Sequence, residues 1–141
     1  MKLTKEIITS KLRNFCIPQT QCAEKAYEIA SILFDQDIRE FTPKRYYTLG
    51  DVLCEISNAL RNEKIVIAWL HTGLVDPNNP TWGALHCYFV FEDQPLQSFT
   101  IWDSPGPAFY GEADTRNKII ETIGWYPVDG IGLHVVPPSL D

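Results

Sequence analysis

Apolar residues recur at helical spacing through the first part of the chain and give way to strand-like runs after Lys64. Thr4 is a natural cap for a first helix running to about Phe15, with Ile7, Ile8, Leu12 and Phe15 turned inward. The turn Cys16-Ile17-Pro18-Gln19-Thr20 breaks it. A second helix is predicted from about Gln21 to Gln36, capped by Thr20. Its apolar positions Ala23, Ala26, Tyr27, Ala30, Leu33 and Phe34 keep the three-to-four spacing of a buried stripe. A polar, proline-containing stretch from Arg39 to Tyr47 follows. A third helix is predicted around Asp51–Arg61, with Val52, Leu53, Ile56 and Leu60 inward.

The run Ile65-Val66-Ile67-Ala68-Trp69-Leu70 is apolar on both faces, which suits a central strand rather than an edge. The segment Thr72–Gly83 is dense in turn residues and reads as a loop. Two further strands, about Ala84–Phe91 and Ser98–Asp103, are joined by Glu92-Asp93-Gln94-Pro95-Leu96-Gln97. A late helix is predicted from an Asp114 cap to Ile123, ended by Gly124, with a last strand near Ile131–Val136. Helices first and an antiparallel sheet afterwards make the expected class α+β, with N-terminal helices packed on the sheet. With no repeat, low-complexity tract or linker, residues 1–141 read as one domain.

Composition narrows the function classes. At 141 residues the chain can bury a core without a disulfide or metal staple, and 45% hydrophobic residues with four Trp, six Tyr and seven Phe argue against disorder. Twelve Lys and Arg against 18 Asp and Glu give a formal charge of −6, and no basic run offsets it, so nucleic acid is not an expected partner. No apolar run approaches the length of a bilayer span, and the N-terminal MKLTKEIITSKLR lacks the apolar core of a signal peptide. The expected location is cytoplasmic, or another cell reached without a classical signal. No CxxC pair occurs among Cys16, Cys22, Cys54 and Cys87, and adjacent His86 and Cys87 on a strand would point to opposite faces. Neither a structural metal nor a cofactor is therefore expected, and the thiols read as free in a reducing compartment.

Cys22 is the informative cysteine, because it stands at the start of the second helix. A thiolate there lies beside unpaired backbone N–H groups and the positive end of the helix dipole, which lowers a thiol pKa. Taken alone it reads more simply as a small buried thiol. The hairpin that follows changes the weighing. Alternation sets His86, Tyr88 and Val90 on one face of their strand, and Phe99, Ile101 and Asp103 on one face of the next. Sixteen residues separate His86 from Asp103, so a plain hairpin turning about Gln94-Pro95 pairs Phe91 with Ser98, Tyr88 with Ile101 and His86 with Asp103. Directly opposed side chains are about 4.5–5.5 Å apart at Cβ, close enough for a carboxylate to accept from an imidazole N–H. A one-residue slip destroys the pairing.

Nucleophile, base and orienting acid thus follow in the order Cys22, His86, Asp103, as in papain-like cysteine hydrolases. The local sequence Gln21-Cys22-Ala23-Glu24-Lys25-Ala26-Tyr27-Glu28-Ile29 resembles the nucleophile helix of small bacterial papain-fold toxin domains, although the alanines here fall at 23 and 26. Gly83-Ala84-Leu85-His86, a hydrophobic strand, a turn and Trp102-Asp103 are similar to that family's histidine strand and Asp-ending strand. The resemblance covers roughly residues 15–105 and implies a papain-like core and thiol attack on an amide carbonyl, as a protease, a glutamine deamidase or an acyl transferase. A toxin or effector acting on a protein target is the setting it suggests. Ser104 stands where the family places an Asn after its Asp, and Cys16 stands where papain itself has a Gln, six residues before the nucleophile. One oxyanion donor would be the backbone N–H of Cys22, with Gln19 and Gln21 as candidates for the second.

Rivals exist for each role. Cys16 is the alternative nucleophile, while Cys54 lies off its helix's inward stripe and Cys87 shares a face with Leu85 and Phe89. His71, with Asp76 nearby, could be the base in another register, and His134 reads as structural. Trp82, Trp102 and Trp125 could wall a groove, though tryptophan is more often core. A different class of function also fits: a non-enzymatic interaction module, of the immunity or adaptor kind, since an acidic domain rich in aromatics suits protein docking.

Overall fold

The computed structural model describes residues 3–15, 22–35, 44–75, 83–101, 105–125 and 130–136. Its four helices are α1 (Lys5–Leu12), α2 (Cys22–Phe34), α3 (Leu49–Arg61) and α4 (Glu112–Trp125). Its strands are β1 (Lys44–Tyr46), β2 (Ile65–Val75), β3 (Gly83–Asp93), β4 (Leu96–Thr100), β5 (Ala108–Tyr110) and β6 (Ile131–Val136). They form one antiparallel sheet in the order β1-β6-β2-β3-β4-β5. The expected α+β class holds, and β2 is central as its two-sided apolarity required.

The expected cap at Thr4 holds, whereas the expected cap Asp114 lies inside the first turn of α4, which begins at Glu112. The Thr4 hydroxyl accepts from the Ile7 N–H at 3.2 Å, and the Thr48 hydroxyl accepts from the Asp51 N–H at 3.2 Å, which sets the start of α3 two residues before the expected Asp51. Phe15 lies beyond the end of α1, its N–H bonded to the Leu12 carbonyl at 3.1 Å. α4 does not stop at Gly124 but runs through it from Glu112. One helical glycine costs only about 1 kcal/mol, less than the burial of Ile119 and Thr122 on the inner side of the same helix provides.

Each face of the sheet carries its own core. On one, Leu3, Ile8 and Leu12 with Ile29, Ala30 and Leu33 of α2 pack over Ile67, Phe89, Phe91, Phe99 and Ile101. On the other, Val52, Ile56 and Ala59 of α3 and Ile119 of α4 pack over Val66, Ala68, Tyr88, Val90, Leu96, Ile131 and Leu133. The helices therefore sandwich the sheet instead of covering one side.

Two strands were not expected. β1 and β5 are three residues each, too short to show a period, and they close the two edges of the sheet. Lys44 and Arg45 leave one edge charged and exposed, a disposition that discourages further strand pairing. Gly130 has φ +65° where β6 begins against β1, and a Cβ there would collide with the Tyr46 carbonyl oxygen, so glycine is required. β2 also continues to Val75, four residues into the expected loop, with an irregularity between His71 and Val75.

The register of β3 on β4 corrects the hairpin expectation. Asp93 pairs with Leu96 and Glu92 with Gln97 around a two-residue Gln94-Pro95 turn, as the plain hairpin requires. A bulge then intervenes, and Val90 pairs with Ser98 and Phe89 with Phe99, where the expectation set Phe91 against Ser98. One extra residue on β3 shifts every later pair by one. Tyr88 and Ile101, expected opposite one another, consequently belong to cores on opposite faces. The expected pairing of His86 with Asp103 lies outside the described residues, since β4 ends at Thr100.

Candidate functional site

Cys22 is the first residue of α2, a 13-residue helix, so its backbone N–H is among the four that a helix start leaves without an intrahelical partner. The helix is anchored downstream of it: Ile29, Ala30 and Leu33 are buried over the phenylalanine-rich face of the sheet, while Ile32 is turned outward at 41% exposure. The predicted stripe is thus borne out at Ala30 and Leu33. α2 packs on β3, the strand that carries His86. The backbone of His86 pairs with Leu70 of β2, and the adjacent pair is His71 with Leu85. The two histidines lie one step apart on neighbouring strands.

Asp103, Gln19 and Gln21 lie outside the described residues, as do Cys16, Asp76, Trp82 and Trp102. The side chains of Cys22, His71, His86, Cys87, Trp125 and His134 are likewise outside what is described. What the structure gives for the acid is its flanks. Ile101, two residues before it, is 1% exposed and belongs to the core shared with α2. Gly106, three residues after it, donates its N–H to the Phe15 carbonyl at 2.8 Å. Phe15 in turn leads, seven residues on, into Cys22. The chain at Gly106 is therefore tied to the chain at Phe15, between α1 and α2.

Gly106 is built for that contact. Its φ is +85°, a conformation open to glycine at no steric cost, and a Cβ would stand 3.2 Å from the Arg13 carbonyl oxygen. The dipeptide Pro105-Gly106 reads in sequence as an ordinary turn; its hydrogen bond to the end of α1 had no signal that spacing could supply.

The face on which His86 was expected is that of Tyr88 and Val90, and both pack under α3 and α4 rather than under α2. The face of Ile67, Phe89 and Ile101 packs under α2.

Elsewhere, Cys54 is exposed on α3 with the Asn58 amide 3.8 Å from its sulfur, away from the inward stripe as expected. Among the described residues no three His, Cys, Asp or Glu side chains are grouped to hold a metal, and no helix is long and apolar enough to cross a membrane. The resolved perturbed acid is Tyr46, whose phenol is held above its ordinary value near 10.0 by burial and, secondarily, by the Glu55 carboxylate beside it. Comparison with protein-family models, with curated proteins and with solved structures returns no match.

Proposed function

We propose that the protein is a thiol-dependent amide hydrolase of papain-like type, with Cys22 as nucleophile, Asp103 as the orienting carboxylate and His86 as the base. The single observation that carries this reading is the hydrogen bond between Gly106 and Phe15, which draws the flank of Asp103 to the approach of Cys22 on the side of the sheet packed by α2. A helix-start thiolate attacks the amide carbonyl, and backbone N–H groups at the same helix start receive the negative charge that develops on the oxygen. As the C–N bond breaks, the imidazolium gives its proton to the departing amine. Water then adds to the thioester with the imidazole as base, releasing the acid and restoring the thiol. Ammonia as the departing amine makes this a glutamine deamidation; a peptide amine makes it proteolysis. The substrate is a protein in either case, and no metal or cofactor enters.

The resemblance favours His86 as base, and His71, one step away on the neighbouring strand, is its rival. Iodoacetamide alkylation of Cys22, followed by peptide mapping across pH, separates them. A functional thiolate titrates well below the unperturbed value near 8.5, in the range of about 3.5–7.5 that an imidazolium partner produces. Replacing the true base by alanine returns the midpoint toward 8.5, and replacing the other histidine leaves it where it was.

One observation favours a second reading, a docking module without chemistry: Tyr88 and Ile101 lie in opposite cores, so the hairpin does not by itself join His86 to Asp103. A Cys22 midpoint near 8.5 in the unmodified protein, unmoved by either histidine variant, selects that reading.

A further inference from the structure

We infer that α4 is a hinged strap: it opens from the sheet as a local unit, latched by the Ser98–Thr115 hydroxyl pair, while α3 and the opposite core stay packed. This does not rest on the thiol-hydrolase reading. The two helices on this face bury different things. α3 sets Val52, Ile56 and Ala59 into the core, with Leu49, Leu53 and Leu60 packed against it. Among its described side chains, α4 buries Thr115, Ile119 and Thr122, and Ile123 adds a partly buried apolar contact. Two of the three buried positions are therefore hydroxyls, while a large apolar residue, Ile120, faces outward at 49% exposure. A helix is held on a core chiefly by the apolar difference between its two faces, and in α4 that difference is small.

The polar contacts of α4 divide by what opening breaks. The Thr122 hydroxyl donates to the Lys118 carbonyl at 2.8 Å, and Arg116 pairs with Glu112 at 3.4 Å; both lie within the helix and are not tied to the sheet. The buried bond between Ser98 Oγ and Thr115 Oγ1, at 2.8 Å, joins helix to sheet and must break. Gly124 adds to the bias, because a Cβ there would meet nothing within 4 Å: packing does not ask for glycine, yet glycine weakens the last turn. α3 packs on β2 and β3 directly and keeps that seat when α4 leaves. Opening lays bare the β4–β5 end of the face, where Tyr110 pairs with Ser98. Elements that move within a fold come from its least stable parts.

The test is hydrogen exchange of the intact protein, read by mass spectrometry in sub-denaturing urea. The expected result is protection in α4 at least about tenfold below that in α3, with α4 exchange nearly flat in urea because a local opening exposes little surface. Ser98→Ala strands the Thr115 hydroxyl and should speed α4 exchange about tenfold. Ile29→Val, a small truncation in the opposite core, should speed α3 exchange about threefold and leave α4 unchanged, because Ile29 keeps its neighbours when α4 opens. Equal protection with equal urea dependence in the two helices overturns the inference, and so does Ile29→Val accelerating both by one factor. Exchange in α4 that Ser98→Ala does not move removes the latch and overturns it as well.

Discussion

The two faces of the sheet are filled by different chemistry. Under α1 and α2 the sheet presents phenylalanines: Phe89 and Phe99 stack with ring centroids 5.0 Å apart, and Phe91 and Phe109 meet Phe99 at 6.1 and 6.0 Å. Under α3 and α4 it presents mostly smaller aliphatic residues, Val66, Ala68, Val90, Ile131 and Leu133, beside Tyr88, whose ring meets Tyr110 at 5.5 Å, and a buried polar tie joins Ser98 Oγ to Thr115 Oγ1 at 2.8 Å. The aromatic side is also where Gly106 bonds to Phe15, which packs against that core. The division is one of chemistry: stacked rings on one face, and aliphatic side chains with a buried hydroxyl pair on the other.

Truncation separates the two most sharply. Phe99 touches three other rings and is fully buried, so Phe99→Ala is expected to cost about 3–5 kcal/mol, the upper range for core truncations. Ile119→Ala on the opposite face is expected to fall lower in the Ile→Ala range of about 2–5 kcal/mol, since α4 has fewer large neighbours there. Urea unfolding of both variants checks the order. The Cys22 alkylation midpoint should move only in Phe99→Ala; movement in both, or a larger stability loss at Ile119, ends the division.

A smaller effect belongs to the polar tie. Ser98 and Thr115 are 0% and 3% exposed, and each hydroxyl is the other's buried partner. Ser98→Ala strands the Thr115 hydroxyl, with an expected cost of about 1–3 kcal/mol. Adding Thr115→Val removes the stranded group and should recover most of that loss, because replacing both partners by apolar groups can be nearly neutral. A double variant no better than the single would mean that the tie specifies α4 by shape rather than by hydrogen bonding.

Much of this architecture was legible because long elements have periods. The stripe of α2, the caps at Thr4 and the two-sided apolarity of β2 are local signals, and each survived in the fold. The β3–β4 hairpin shows where locality ends. Its turn was predicted correctly, but a single bulge near Phe91 carries no sequence mark, and one residue of slip moves Ile101 and Tyr88 to different faces. The same slip is why the site was only half legible. Cys22 at a helix start follows from composition around it, while the relation of His86 to Asp103 depended on counting residues through an element whose count the bulge alters. The Gly106–Phe15 clasp was invisible for another reason, since it joins residues 91 positions apart by backbone atoms alone.

The smallest effect tests whether charge matters on the aliphatic side. Tyr46 packs against the α3/α4 core at the edge strand, and its phenol is raised from 10.0 first by burial, then by the Glu55 carboxylate that accepts its hydrogen bond, then by Asp51. A group with a raised folded pKa contributes stability that is intact below its unfolded value near 10 and is lost as pH rises through the folded value. The contribution of this group should therefore be fully present at neutral pH and decline with rising pH only above about pH 10. Glu55→Gln removes the carboxylate but not the burial, so it lowers the Tyr46 phenol only part of the way back, read by phenolate absorbance against Tyr46→Phe to identify the transition among six tyrosines. A full return to 10.0 would make charge rather than burial the dominant cause, and would place at this rim an electrostatic dependence that the rest of the aliphatic face does not share.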